Sequence, residues 1–469
     1  MIPRGTHLTA LLATASSLHV AWASTPCGGG PDLETDVLVV GGGSAGTYAA
    51  VRLADGGRRV LVVEGSGKLG GHASTYADPA TGGVVNAGVQ MLHNDSVVRA
   101  YCGRLGVPLS PVPPRNPLRR AQVDLRTGRE VTGFPAPTGN ETLAAFARYQ
   151  QYYVANFPDL ERGYDGVPDP VPADAAMPFV DLAKREGFDA ILKTLNSYNQ
   201  PTDMLAETSL FTLKSFGPSL INLSPVAPRD LMDIYRAAAG VLGDRVLLRS
   251  KIVKLDRTGA GGGGGVVAKV RTFDGATGRS TVRTVRAKTV LMAAYPLPSN
   301  LQGWDVTAEE ARLFSKLKTY SYFAGVIRNR GAGGVQIENV SPERFRGVPE
   351  LPAIFNIGPT QLPDTYTVYF GARGFMANDT ALDLTLAAIG RLAEGGVIGS
   401  AETEVLAWFD HTPVRLHVDA EDVAAGYYKD LYALQGKTKT WWTGAAWQTQ
   451  DSSQIWAFTQ RLVERMLDS

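Results

Sequence analysis

The stretch "DVLVVGGGSAGTYAAVRLADGGRRVLVVE", residues 36–64, constrains this chain more than any other. Asp36–Val40 reads as a short apolar strand that runs straight into Gly41-Gly42-Gly43-Ser44-Ala45-Gly46. "TYAAVRLADGG" then reads as a helix with Ala49, Ala50, Leu53 and Ala54 on its packed face, stopped by Gly56-Gly57. A second apolar strand, "RRVLVVE", ends at Glu64. Strand, helix and strand make one complete βαβ unit of roughly thirty residues. A G-x-G-x-x-G pattern is weak alone, but here a strand precedes it, a helix comes after it, and an acidic residue closes the next strand.

Each residue in that turn has a physical task. Gly41 permits the tight bend, Gly43 lets a pyrophosphate approach the backbone, and Gly46 lets helix and strand pack closely. The helix start at Ser44 and Ala45 offers free N–H groups and the positive end of the helix dipole to an anion. Glu64 is suited to accept hydrogen bonds from ribose hydroxyls, and its charge disfavours a ribose 2′-phosphate and therefore NADP. The expectation is a bound dinucleotide.

The residues after Glu64 separate NAD from FAD. "GSGKLGGHAST" carries a second pair, Gly70-Gly71, and then His72. This segment resembles that of the flavin amine oxidases and related flavoproteins, in which a glycine pair after the acidic residue wraps the FAD pyrophosphate and flavin. Most of that group has arginine after the glycines. Histidine there resembles a fungal subgroup, the β-cyclopiazonate dehydrogenase family, whose members oxidise secondary metabolites. "VVNAGVQMLH" (84–93) looks like the strand and turn beneath the isoalloxazine. "VLLRSKIVKLDR" (246–257) looks like the strand that contacts adenine, with Ile252 at the contact. "TWWTGAAWQTQDSSQIWAF" (440–458) looks like the C-terminal glycine segment, with Gly444, and a helix whose start at Ser452–Ser453 would stabilise negative charge on the flavin pyrimidine ring.

The resemblance implies an α/β fold: a discontinuous Rossmann-type, glutathione-reductase-like FAD-binding domain with an inserted α+β substrate domain. We expect the FAD-binding domain at 33–110, 205–300 and 405–469, and the substrate domain at 111–204 and 301–404. Residues 107–140, rich in proline and arginine, read as irregular, and 141–240 as mainly helical. Five consecutive glycines within 259–265 separate two strand-like runs and suggest a hairpin tip.

Six histidines occur, of which His7 and His19 lie in the first residues. His72 and His93 come after the nucleotide fold, and His411 and His417 share "FDHTPVRLHV". His72 and His93 are candidates to contact FAD, either of them being a possible point of covalent attachment. His411 is a candidate base for a substrate N–H or O–H. Their spacing does not suit a metal. Tyr320, Tyr322, Phe323, Tyr366 and Phe370 are candidate pocket aromatics. Trp441 and Trp442 occupy the place of a paired aromatic cage in the wider superfamily, and Lys318 that of the water-binding lysine of amine oxidases.

The rest bounds the setting. The chain has 469 residues, 44% apolar and 19% charged, with net charge +1, which gives no support for nucleic acid as a partner. "LTALLATASSLHVAWA" (8–23), with Ala21-Trp22-Ala23, reads as a secretory signal occupying 1–23, and no later apolar run reaches membrane length. Sequons at Asn94, Asn140, Asn222, Asn339 and Asn378 agree with a secreted or vesicular protein, although Pro225 and Pro342 directly follow two of them. Cys27 and Cys102 are the only cysteines; a disulfide between them and two free thiols are both open readings. Together these features lead us to expect a secreted FAD-dependent oxidoreductase. It would dehydrogenate a bulky apolar metabolite of the indole-alkaloid or terpenoid–pyrone kind, with O2 as the simplest acceptor and ring closure as a possible consequence. A flavin amine oxidase acting on small amines and a non-catalytic flavin-fold binding protein stay open as alternatives.

Overall fold

The computed structural model describes residues 27–29 (backbone only), 32–113, 117–198, 202–221, 224–259 and 264–469. The signal expected at 1–23, the side chain of Cys27 and the sequon at Asn222 lie outside the described residues.

Five short strands form an all-parallel sheet in the spatial order Val246–Leu247, Val60–Val63, Val37–Val40, Thr289–Met292, Thr440–Trp442. Val60–Val63 is buried along its whole length and Val37–Val40 nearly so. That is why they read as unbroken apolar runs rather than alternating ones. The helix Ser44–Asp55 packs against the C-terminal helix Ser452–Asp468 and the helix Met232–Leu242. Residues from both ends of the chain thus build one domain. An antiparallel meander, Ser250–Asp256, Val266–Asp274 and Arg279–Ala287, joins the same core. It is fastened by Arg257, whose buried guanidinium pairs with Glu310 at 2.7 Å and Asp305 at 2.7 Å.

The second domain is an eight-stranded mixed sheet. Its order is Glu404–Asp410, Lys318–Arg328, Thr365–Arg373, Ala353–Pro359, Val335–Asn339, Arg119–Asp124, Arg129–Glu130, with Val414–His417 pairing at the Lys318 end of Lys318–Arg328. The helix Asn378–Glu394 covers one face, packing Ala381, Ala388, Ile389 and Leu392 over Phe323, Phe370 and Trp408. The other face carries Tyr320 and Tyr322 and looks toward the glycine-rich domain.

The discontinuous α/β architecture matches expectation, but two boundaries and one element differ. Residues 404–417 belong to the second sheet rather than the first domain, because both strands there pair with Lys318–Arg328. Arg119–Asp124 lies in the stretch expected to be irregular, yet it is a strand held by parallel pairing with Val335–Asn339. The helix Ser209–Ser215 packs on Ala173–Ala176 and Phe179–Glu186, so the inserted helical layer runs past residue 204. No helix among the described residues is long and apolar enough to cross a membrane.

Candidate functional site

At the end of the first parallel strand Gly41 has φ +98°, a conformation that only glycine adopts without strain, and a Cβ there would stand 2.9 Å from the Ala294 nitrogen. At Gly46 a Cβ would stand 1.9 Å from the Gly41 carbonyl oxygen, so the helix sits on the turn at a distance no side chain permits. Gly43 caps Ser44–Asp55 without a side-chain acceptor, and no acidic residue occupies the first turn. The N–H groups of Ser44, Ala45 and Gly46 therefore have no side-chain competitor for an anion. The second glycine pair lies directly over the first: Gly70 N donates to Gly42 O at 2.8 Å, and a Cβ on Gly71 (φ +55°) would stand 3.0 Å from Gly43 Cα. Two bare backbones facing each other beside an uncapped helix start fit a pyrophosphate.

Glu64 has a structural duty that sequence reasoning did not give it. Its Oε2 accepts from Gly42 N at 2.6 Å and its Oε1 from Ser66 N at 2.7 Å, so the carboxylate pins the glycine turn. Both oxygens keep further acceptor capacity for a ribose diol. Ser250 N donates to Glu64 O at 2.8 Å, which brings the strand bearing buried Ile252 alongside.

The C-terminal helix arrives at the same place. Ser44 Oγ donates to Ser452 Oγ at 2.9 Å, and Trp456 Nε1 donates to Ser44 O at 3.2 Å. Gly444 (φ +97°) lies against Ala45, where a Cβ would be 3.8 Å from the alanine Cβ. One expectation fails here. The helix start is not an open positive end, because Asp451 caps it, accepting from Ser453 N at 2.8 Å and Gln454 N at 3.0 Å. Asp451 is in turn paired with His93 Nε2 at 2.9 Å, while His93 N donates to Ser453 Oγ at 2.9 Å. Burial pulls the His93 imidazole down, but its hydrogen bond to Asp451 and the surrounding carboxylates together leave it raised. The Asp451 carboxyl is held below its ordinary range against burial, chiefly by His93. His93 is thus a partner of the helix cap.

His72 and His411 meet across the domain boundary, their rings stacked with centroids 5.2 Å apart and planes at 26°. Burial pushes His72 down to about 4 and His411 well below the ordinary histidine value, so both imidazoles are neutral at pH 7. His411 Nε2 lies 3.3 Å from Ser74 Oγ. Gly88 makes room for the pair: a Cβ there would stand 2.0 Å from His72 O and 3.1 Å from His411 Cε1. Around them are Tyr295 (6.2 Å from His72 between ring centroids), Tyr322 (5.8 Å from His411) and Phe409 (6.3 Å). Tyr369 stacks behind Tyr322 at 6.1 Å and bonds Gln90, while Gln450 bonds the Tyr295 hydroxyl.

Other candidates lie elsewhere. Lys318 is exposed and ion-paired with Asp419 at 2.7 Å, so it is a surface lysine that does not reach the pocket. Trp441 and Trp442 do not form a cage, because they alternate across the edge strand Thr440–Trp442. Trp442 is buried against Trp304, Phe314 and Trp447, and Trp441 lies under the Arg465 guanidinium at 5.1 Å. Phe323, Tyr366 and Phe370 join the core beneath Asn378–Glu394. His417 stacks on Tyr320 at 4.9 Å. Asn94 and Asn140 are exposed and Asn378 is half-buried, but Asn339 is buried with its amide donating to Ile354 O at 2.7 Å, which leaves no room for a glycan. Cys102 is a buried free thiol pushed up to about 12 by burial. Among the described residues no group of side chains could hold a metal ion. Sequence reasoning missed Tyr295 and Gln450, which long-range packing brings beside the imidazole pair.

Comparison with known proteins agrees with this geometry. A family profile described as "Flavin containing amine oxidoreductase" matches residues 44–227. The chain is 32% identical to Beta-cyclopiazonate dehydrogenase of Aspergillus flavus over 471 residues, covering 99% of this chain and 98% of the relative. It is 34% identical to FAD-dependent oxidoreductase oblC of Cochliobolus heterostrophus, covering 92% and 90%. Among solved structures, a CLA-producing fatty acid isomerase from P. acnes superposes with TM-score 0.70 at 15% identity, over 92% of this chain and 98% of that one. A putrescine oxidase variant gives 0.67 at 15%, over 93% and 100%. At such identities these structures speak for the fold alone.

Proposed function

We propose a function from one premise: the chain belongs to the β-cyclopiazonate dehydrogenase family of FAD-dependent oxidoreductases. It is an oxidoreductase and FAD is its cofactor, which rules out the reading as a non-catalytic binding protein. Gly41, Gly43, Ser44, Ala45, Gly46, Gly70 and Gly71 would hold the pyrophosphate, Glu64 the ribose, Ile252 the adenine side, and Gly444 with Ser452 the far end. When bound, FAD supplies a hydride acceptor.

The protein's own residues perform the remaining tasks. The substrate is a bulky, largely apolar secondary metabolite, of the indole-alkaloid or terpenoid–pyrone kind, held by Tyr295, Tyr322 and Tyr369. His411, neutral and stacked on His72, takes a proton from a substrate N–H or O–H as the C–H bond is oxidised. The resulting electrophile is open to attack by an internal nucleophile, which would close a ring. O2 reoxidises the enzyme, and the enzyme works in the secretory pathway or outside the cell. The stacked imidazole pair set among aromatic rings is the observation that carries this reading.

The test is anaerobic mixing of the yellow holoenzyme with β-cyclopiazonate and, separately, putrescine. We expect bleaching by the alkaloid and none by the diamine. The His411→Gln variant should retain its FAD and bleach about 100-fold more slowly, the lower range for loss of a positioned base. Bleaching by putrescine with release of hydrogen peroxide in air would instead establish the small-amine reading.

A further inference from the structure

Beside the imidazole pair lies a second buried polar cluster that the proposed chemistry leaves unused. Its centre is Arg415, only 4% exposed. The loop after His411 that delivers it is firmly tied. Thr412 N donates to Asp410 Oδ1 at 2.8 Å, and Thr319 Oγ1 both accepts from Val414 N at 3.0 Å and donates to Val414 O at 2.8 Å. Arg415 itself has φ +56°, a conformation that residues with a Cβ seldom adopt.

The guanidinium lies over the Phe211 ring, 4.5 Å from its centre. Its Nε and Nη2 are buried without a hydrogen-bond partner among the described residues. Glu207, 5% exposed, does not close on them: its Oε1 is equally without a partner, and its Oε2 accepts a long contact from Thr212 Oγ1 at 3.5 Å. Burial pushes the Glu207 carboxyl up to about 7, while Arg415 pulls it back. Lys214 adds a second buried cationic group without a hydrogen-bond partner among the described residues, 5.7 Å from the centre of the Tyr164 ring. Tyr320, Tyr164 and Tyr295 lie within electrostatic reach of Arg415. Tyr295 also neighbours His72, which places it between the Arg415 cluster and the imidazole pair.

A buried guanidinium with unpaired N–H groups is costly, and folded proteins keep few such groups. A planar group with two oxygens sharing one negative charge would satisfy both nitrogens at once, and arginine suits that geometry better than lysine does. We propose that Arg415 is a substrate-recognition residue whose free N–H groups receive a delocalised oxyanion, a carboxylate or an enolate, carried by the otherwise apolar substrate. The proposal deepens the functional reading above and rests on it. The anion anchors at Arg415, and the remainder of the molecule extends past Tyr295 toward His72 and His411.

The experiment titrates the holoenzyme with benzoate as carboxylate probe, the enolate of 2-acetyl-1,3-cyclohexanedione, whose acetyl and ring oxygens converge, as enolate probe, and benzamide as neutral control. Binding is read from perturbation of the flavin visible spectrum and from the thermal shift. We expect one or both anions to bind wild type at least about tenfold more tightly than benzamide, the tighter anion identifying the substrate's acidic group. Arg415→Gln should lose at least about tenfold in anion affinity, the value of a charge-assisted hydrogen bond, with benzamide unchanged. Arg415→Lys should recover part of it. Equal binding of anion and amide by wild type, or unchanged anion binding by both variants, overturns the proposal. So does loss of FAD from both variants, since the guanidinium would then serve the cofactor. Anaerobic bleaching tests the oxidoreductase reading separately, and its failure leaves the anion preference measurable.

Discussion

At the scale of single residues the nucleotide end is defined by missing side chains. Gly46 is the sharpest case, because its hydrogen points at the Gly41 carbonyl from a distance where a Cβ would be 1.9 Å away. Nothing flexible stands in the way; the obstruction is the Gly41 backbone carbonyl, with the Ala293 Cβ at 3.0 Å beside it. Gly46→Ala must push the helix Ser44–Asp55 off the strand that precedes it, costing about 1–3 kcal/mol as overpacking does. The same displacement moves the N–H groups of Ser44 and Ala45 that face the pyrophosphate. We expect purified Gly46→Ala to melt several degrees lower and to carry less than half the FAD per chain, measured from the ratio of flavin to protein absorbance. Gly57→Ala is the control, since its Cβ would meet nothing within 4 Å although its φ, unlike that of Gly46, is positive; it should cost a little stability and no flavin. These glycines were legible in the sequence because a backbone requirement acts on a single position and leaves a single permitted residue. Arg415 and Glu207 were not legible. Nothing local distinguishes a buried arginine without a partner from a surface one, and Lys318, which reads as the better candidate, is the one in solvent.

At the scale of elements the C-terminal helix is the clearest case of a cap with more than one duty. Asp451 satisfies two backbone N–H groups and holds His93. Asp451→Ala should cost about 0.5–2 kcal/mol for the cap, with a further loss that depends on pH. The His93 imidazole is raised above its ordinary 6.5, so the folded protein holds this proton where the unfolded chain has begun to release it. The pair's contribution is therefore complete below 6.5 and disappears as pH rises through the higher folded value. Thermal melts of wild type and Asp451→Ala should differ most in mildly acidic buffer and converge toward the cap term alone in alkaline buffer. A difference independent of pH would mean that the pair carries no charge. The helix itself was legible from its apolar periodicity, and its Asp451 cap is made locally, but the pairing that holds the charge of that cap comes from His93, 358 residues away in sequence. Trp441 and Trp442 misled for the same reason. Adjacent aromatics look like a cage until pairing with Thr289–Met292 turns them to opposite sides of a sheet. Arg119–Asp124 was hidden because its partner, Val335–Asn339, lies some two hundred residues away and supplies its only regular pairing on that side.

At the scale of the whole molecule, assembling the site between two domains buries titratable groups in forms that water would not favour. His72 is pushed down to about 4 by burial, and His411 and His417 are lowered for the same first reason. Below 6.5 the unfolded chain takes up a proton at each of these three imidazoles, while the folded chain resists. Glu207 opposes them. Its carboxyl, raised to about 7, stays protonated in the folded state, whereas the unfolded chain releases that proton above 4.5. Between 4.5 and 6.5 the three imidazoles outweigh the one carboxyl, so the unfolded state binds more protons and stability rises with pH. His93 changes little in this window, because it is largely protonated in both states until pH passes 6.5. Carboxylates held low by their partners, such as Asp36 and Asp124, act only at more acid pH, below their ordinary 3.8. Calorimetric melts of the apoprotein between pH 4.5 and 6.5 should therefore show a melting temperature that climbs with pH. His411→Phe, which keeps a flat ring against His72 and removes one titrating site, should flatten that climb. Glu207→Gln removes the opposing group and should steepen it. A melting temperature that falls with pH across this window would mean that the imidazoles between the domains are charged in the folded protein, and His411 could not then serve as a base.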